Sequence, residues 1–166
     1  MAKYLLIVLL FVIGCKSEET SKLKEYSDFV GDIQFNPKID GDFERCDPYS
    51  NQYYGINGGL GYQGEMSKVH EEIKLAYKSI DQLDETGLIT IRFVVNCNGQ
   101  SGMFRVFSTD LELNEFNFNQ RIVDQLLEVT KGLNNWKVAE YEGNTYDYYQ
   151  YLTFKVVDSE LKEITP

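Results

Sequence analysis

Three cysteines, Cys15, Cys46 and Cys97, and one histidine, His70, are the chain's supply of soft or near-neutral reactive groups. A thiol can be acylated, oxidised to a disulfide or bound to a metal, whereas one histidine leaves little room for a triad or a multi-histidine centre. The three thiols keep different company. Cys15 follows Gly14 at the end of an unbroken apolar run over residues 4–13, and Cys97 lies in the turn-forming stretch Asn96-Cys97-Asn98-Gly99. Cys46 sits in a polar, irregular region, and His70 stands beside Glu71 and Glu72, as a structural histidine would. Asp40, Asp42 and Glu44 alternate as weak calcium ligands do, but no twelve-residue loop with a terminal bidentate glutamate follows, so they read as solvated charges. The chain has no phosphate-binding glycine loop, dinucleotide fingerprint or nucleophile elbow. No catalytic residue, metal or cofactor is expected.

The first fourteen residues have their own chemistry. Lys3 gives a positive start, and the apolar run is shorter than the roughly 20 residues a membrane span needs. It matches the hydrophobic region of a signal peptide. Val12-Ile13-Gly14-Cys15 resembles the lipobox of bacterial lipoproteins. The resemblance implies alkylation of Cys15, cleavage after Gly14, and anchoring by acyl chains that contribute about 0.8 kcal/mol per buried methylene. Lys16-Ser17-Glu18-Glu19 then resembles the surface-export signal of Bacteroidetes-type lipoproteins, although a solvated leader reads equally well. The expected address is the cell envelope, lipid-anchored in the outer membrane on its periplasmic or exposed face.

The whole chain has 166 residues and a formal charge of −10, from 26 acidic and 16 basic side chains. That balance disfavours nucleic acid as a partner. An apolar share of 43% supports one folded core. Residues 15–32 read as a lipidated cysteine and flexible tether, and residues 33–64 as an irregular region rich in glycine and tyrosine. Residues 65–158 carry the regular patterns, and residues 159–166 read as a tail.

Within 65–158, an apolar stripe through Met66, Val69, Ile73, Tyr77 and Ile80 predicts a helix over residues 65–80. Period-two alternation from Leu88, the Asn98-Gly99 turn and a second run to Ser108 predict a β-hairpin. A second helix is expected over residues 118–131, with Asn117 as N-cap and Gly132 after its end. Residues 146–157 follow as a long closing strand. The order predicts an α+β fold: a mostly antiparallel sheet of three to four strands with two helices packed on one face.

That order, together with Gly87-Leu88-Ile89-Thr90-Ile91-Arg92-Phe93-Val94-Val95, Asn98-Gly99, Gly102-Met103-Phe104-Arg105-Val106, Trp136-Lys137, Gly143-Asn144 and Tyr151-Leu152-Thr153-Phe154, resembles the TonB C-terminal domain family. The resemblance spans about residues 65–157. Departures are the lack of any proline between Pro48 and Pro166, and Val138 two residues after Trp136. A lipobox and short tether stand where an energy transducer has a membrane helix and a proline-rich span. What the resemblance implies is a non-enzymatic module that receives an extended protein or peptide segment on a free sheet edge. The closing strand is the expected edge, with Tyr149, Tyr151, Thr153 and Lys155 as contact residues. Tyr146 and Tyr148 read as core cover, and for Tyr149 and Tyr151 the two roles are evenly balanced.

Two further expectations stay open. The tyrosine-rich loop over residues 53–62 would suit sugar stacking, which makes a glycan-binding accessory lipoprotein the alternative function; a loop that lids the core is the plainer account. Cys46 and Cys97 can pair in an oxidising compartment, pinning the irregular region to the hairpin turn, or remain two separate thiols.

Overall fold

The computed structural model describes residues 33–48, 50–52, 59–80 and 83–166. The expected signal peptide, Cys15, the expected tether and residues 53–58 of the tyrosine-rich loop lie outside the described residues. Among the described residues, no helix is long and apolar enough to cross a membrane.

In chain order the elements are α1 (Pro37–Asp40), β1 (Asn51–Gln52), α2 (Glu65–Ala76), β2 (Gly87–Val95), β3 (Ser101–Thr109), α3 (Gln120–Lys131), β4 (Ala139–Tyr141), β5 (Asn144–Tyr146), β6 (Tyr148–Val157) and β7 (Glu160–Thr165). The fold is α+β. Strands β3, β2, β6 and β7 form an antiparallel sheet, and β1 adds a two-residue parallel pairing to β6. Strands β4 and β5 make a separate hairpin.

Alternation in β2 puts Ile89, Ile91, Phe93 and Val95 on one face, where they join Leu152, Phe154 and Val156 of β6. Val69 and Ile73 of α2, and Ile122 and Leu126 of α3, complete the same core. Both helices therefore cover one face, as the periodicity requires. The other face carries a smaller cluster of Val94, Met103 and Ile33, with Phe43 packed against it. Phe43 lies so close over Gly102 that a Cβ there would fall 2.2 Å from its ring, so only glycine fits. The 33–48 region is thus part of the domain and not a spacer ahead of it.

Each helix is shorter than its stripe suggests. α2 ends at Tyr77, which turns extended, and Gln125 of α3 then engages both backbone groups of Lys78: Lys78 N–H donates to its Oε1, and its Nε2 donates to the Lys78 carbonyl at 2.8 Å. An outside side chain replaces the helical partners of the next turn. α3 starts two residues late because Asn119, not Asn117, is the cap; its Oδ1 accepts from Arg121 N–H at 3.1 Å. Phe118 turns into the core instead.

Residues 159–166, expected as a tail, contain β7. A tight turn through Asp158 and Ser159, both with positive φ, returns the chain along β6. Ile164 is buried opposite Phe154, and His70 Nε2 donates to the Ile164 carbonyl at 2.8 Å.

Candidate partner-binding site

The expected receiving edge is corrected by the topology. β6 lies inside the sheet, with β2 paired along its whole length on one side. On the other side β1 pairs Tyr148 and Tyr149, and β7 pairs Thr153 through Val157. Of the four expected contact residues, Thr153 and Lys155 sit opposite Thr165 and Glu163 of β7, and Tyr149 is buried beside β1. Tyr151 lies between the two short registers, directly opposite Arg92. The pattern failed because period-two alternation reports which face a residue takes, and carries nothing about how many neighbours its strand has.

β3 is the outermost strand on the opposite side. The Phe116 N–H donates to the Ser108 carbonyl at 3.1 Å, so Ser108 turns its backbone groups outward from β2. Alternation then turns Val106 outward as well, up to the irregularity at Met103 and Phe104, where Met103 has positive φ and Arg105 Nη1 donates to the Phe104 carbonyl at 2.9 Å. Short segments bound this rim at both ends. Thr109 bridges to Glu115, and at the other end Phe43 covers Gly102 while Arg105 reaches Asp40 and the Gln34 carbonyl. Beside the rim, a groove of about 650 Å³ runs between β3 and α3, lined by Val106, Phe116, Val123 and Leu127 with Glu115 and Gln120 at its border. Residue Phe107, on the sheet face next to it, is 51% exposed. Backbone groups beside apolar pockets are what an added strand requires.

The irregular region is held to the sheet by a charged hub. Cys46 and Cys97 are disulfide-bonded, with Cα atoms 5.9 Å apart. Next to the bridge, the buried Asp147 carboxylate accepts from Cys46 N–H and Cys97 N–H at 2.9 Å each and from Asp47 N–H at 3.2 Å. Arg45 Nε stands 3.6 Å from it. Asn96 adds a second clasp: its Nδ2 donates to the Glu44 carbonyl at 2.9 Å, and its Oδ1 accepts from Asn98 and Gln100 N–H. Three backbone donors on one carboxylate serve architecture. They leave β1 pressed against β6.

Asp40 is not a solvated charge. Both its oxygens accept from Arg105, Nη1 to Oδ1 at 2.7 Å and Nη2 to Oδ2 at 2.8 Å, and its side chain is 1% exposed. The Arg105 guanidinium holds the Asp40 carboxyl below its ordinary value, against an opposing push from burial. In the tyrosine-rich loop, Leu60 and Tyr62 are core residues, and Tyr62 donates to Glu72 at 2.7 Å while its ring meets Trp136 edge-on. Tyr62 is therefore not available to stack on a sugar. Neither Asp147 nor Val106 carried a site signal in the sequence: Val106 stood only within the hairpin motif, and the proximity of Asp147 to a tyrosine-rich strand signals nothing about a carboxylate hub. No family model, curated protein or solved structure matches the chain.

Proposed function

We propose that this chain is a non-enzymatic envelope lipoprotein, anchored through Cys15, whose α+β domain binds an extended segment of a protein partner by strand addition at β3. The observation that carries the reading is the outward backbone of Val106 on the last strand of the sheet, next to an apolar groove. An incoming strand would pair with those groups and place alternate side chains between β3 and α3. The resemblance to TonB C-terminal domains supports the same mode of binding, on a different strand from the one it suggests first. The rim is short, so affinity depends on the groove as much as on backbone bonds. The glycan alternative has lost Tyr62 to the core, and no described residue favours it.

The test is a titration of extended apolar peptides into the isotopically labelled domain. Amide shifts should centre on Phe104 to Ser108 and on the groove residues Phe116 and Val123, and N-methylation of the peptide backbone should weaken binding at least tenfold. Shifts confined to α2 or β7, or full binding by the N-methylated peptide, would remove strand addition. The anchor is tested separately. An alkynyl fatty acid fed to producing cells should label the chain, and Cys15→Ala should abolish the label and release the chain from membranes.

A further inference from the structure

The face of the sheet turned away from α2 and α3 carries an arginine whose charge no carboxylate of the described chain answers. Arg92 on β2 is half-buried, and its guanidinium carbon lies 6.0 Å from the ring centre of Phe107 and 5.8 Å from that of Tyr149. Two aromatic faces at that range hold a cation by its attraction to their π electrons. Directly opposite Arg92 in the register stand Arg105 on β3 and Tyr151 on β6. Like charges facing each other across a strand pair repel. Asp40 relieves that repulsion for Arg105 with a two-pronged ion pair. Among the described residues, no carboxylate lies within ion-pair distance of Arg92 and no acceptor takes its N–H donors, although the chain carries 26 acidic side chains.

We infer that this face docks an acidic peptide segment of a partner protein, with one Asp or Glu carboxylate of the partner bound by the Arg92 guanidinium. A planar fork of N–H donors matches a carboxylate with two parallel bonds, and the clamping rings have already fixed the fork's position. One face of each ring is occupied by the guanidinium, which leaves less aromatic surface for stacking on sugars. Phe107, half-exposed, offers an apolar contact next to the charge, so the preferred segment carries an apolar residue beside its acid. The site is charge-complementary to an acidic partner, and unlike the β3 rim it needs no backbone pairing. Failure of either reading leaves the other standing.

The experiment uses the full domain and a fluorescent peptide alternating Glu with Leu. Its controls are a Gln-for-Glu version, a backbone N-methylated version and an oligogalacturonate of equal charge. The Glu peptide is expected to bind, to weaken steeply with added salt, and to lose at least tenfold in affinity against Arg92→Gln. Arg92→Lys, which keeps the charge and loses the planar fork, should fall between the two. N-methylation should leave the Arg92 dependence intact. Equal binding by the Gln peptide, or equal loss-free binding by Arg92→Gln and Arg92→Lys, overturns the proposal. So does Arg92-dependent binding of the oligogalacturonate without the peptide. Should Arg92→Gln melt well below the parent, the Arg92→Lys comparison decides on the same terms.

Discussion

Asp40 and Arg92 show how differently two charged residues can be placed within one small domain. Asp40 looked like one of three alternating surface acids; its carboxylate is in fact enclosed and bound at both oxygens by Arg105. Spacing could not reveal this, because the partner is 65 residues away and on another element. The pH dependence follows from the direction of the shift. The Asp40 carboxyl is held below its ordinary value in the fold, chiefly by the Arg105 hydrogen bond. Its contribution is therefore fully present above the unfolded carboxyl value, and is lost as pH falls through the lower folded value. Asp40→Asn should cost about 1–2 kcal/mol at neutral pH. In urea melts that difference should shrink progressively below about pH 4. A gap between variant and parent that stays constant down to pH 2 would mean the ion pair contributes nothing to stability.

At the scale of elements, β2, the hairpin turn, α2 and α3 were legible, because each has a long stripe of one period or a turn of ordinary chemistry; α1, a single turn in the region read as irregular, was not. β7 was not, for two physical reasons. Its turn, Asp158-Ser159, adopts positive φ without a glycine or asparagine to advertise it. Its two apolar residues, Leu161 and Ile164, are three apart, which a regular strand would send to opposite faces. A register shift beside Val156 lets both reach the helix-covered core, Leu161 opposite Val156 and Ile164 opposite Phe154. This strand also decides the fate of the expected binding edge, since it occupies the rim of β6. Ile164→Ala should therefore behave as a core truncation, costing about 2–4 kcal/mol, while Lys162→Ala on the same strand stays within about 0.5 kcal/mol. Chemical denaturation of both variants checks the contrast. Equal, small losses would mark β7 as an accessory flap.

For the whole molecule, the decisive contacts join segments that are far apart in sequence. The bond between Cys46 and Cys97 closes a separation of 51 residues, and Asp147 reaches back 101 residues to Cys46. Composition and periodicity describe neighbourhoods of a few residues, so the sequence offered the two cysteines as a pair but gave no sign of the carboxylate that organises the same junction. Covalent closure of so long a loop contributes about 2–4 kcal/mol. Asp147→Asn, which sets an NH2 group against backbone donors, should cost about 2–3 kcal/mol. Both devices restrain the same junction at Cys46, so their losses should not add. In the Cys46→Ser/Cys97→Ser background, Asp147→Asn should cost at least 0.5 kcal/mol less than it does alone. Hydrogen exchange supplies the spatial readout. Opening the bridge should speed exchange in the β1–β6 pairing at Tyr148 and Tyr149, while the β2–β6 ladder from Ile89 to Phe93 keeps its protection. Strict additivity with unchanged exchange at β1 would show that the hub and the bridge hold independent parts of the fold. Coupled losses with selective opening would show a single strap, and the inner position of β6 would then depend on that strap as well as on β7.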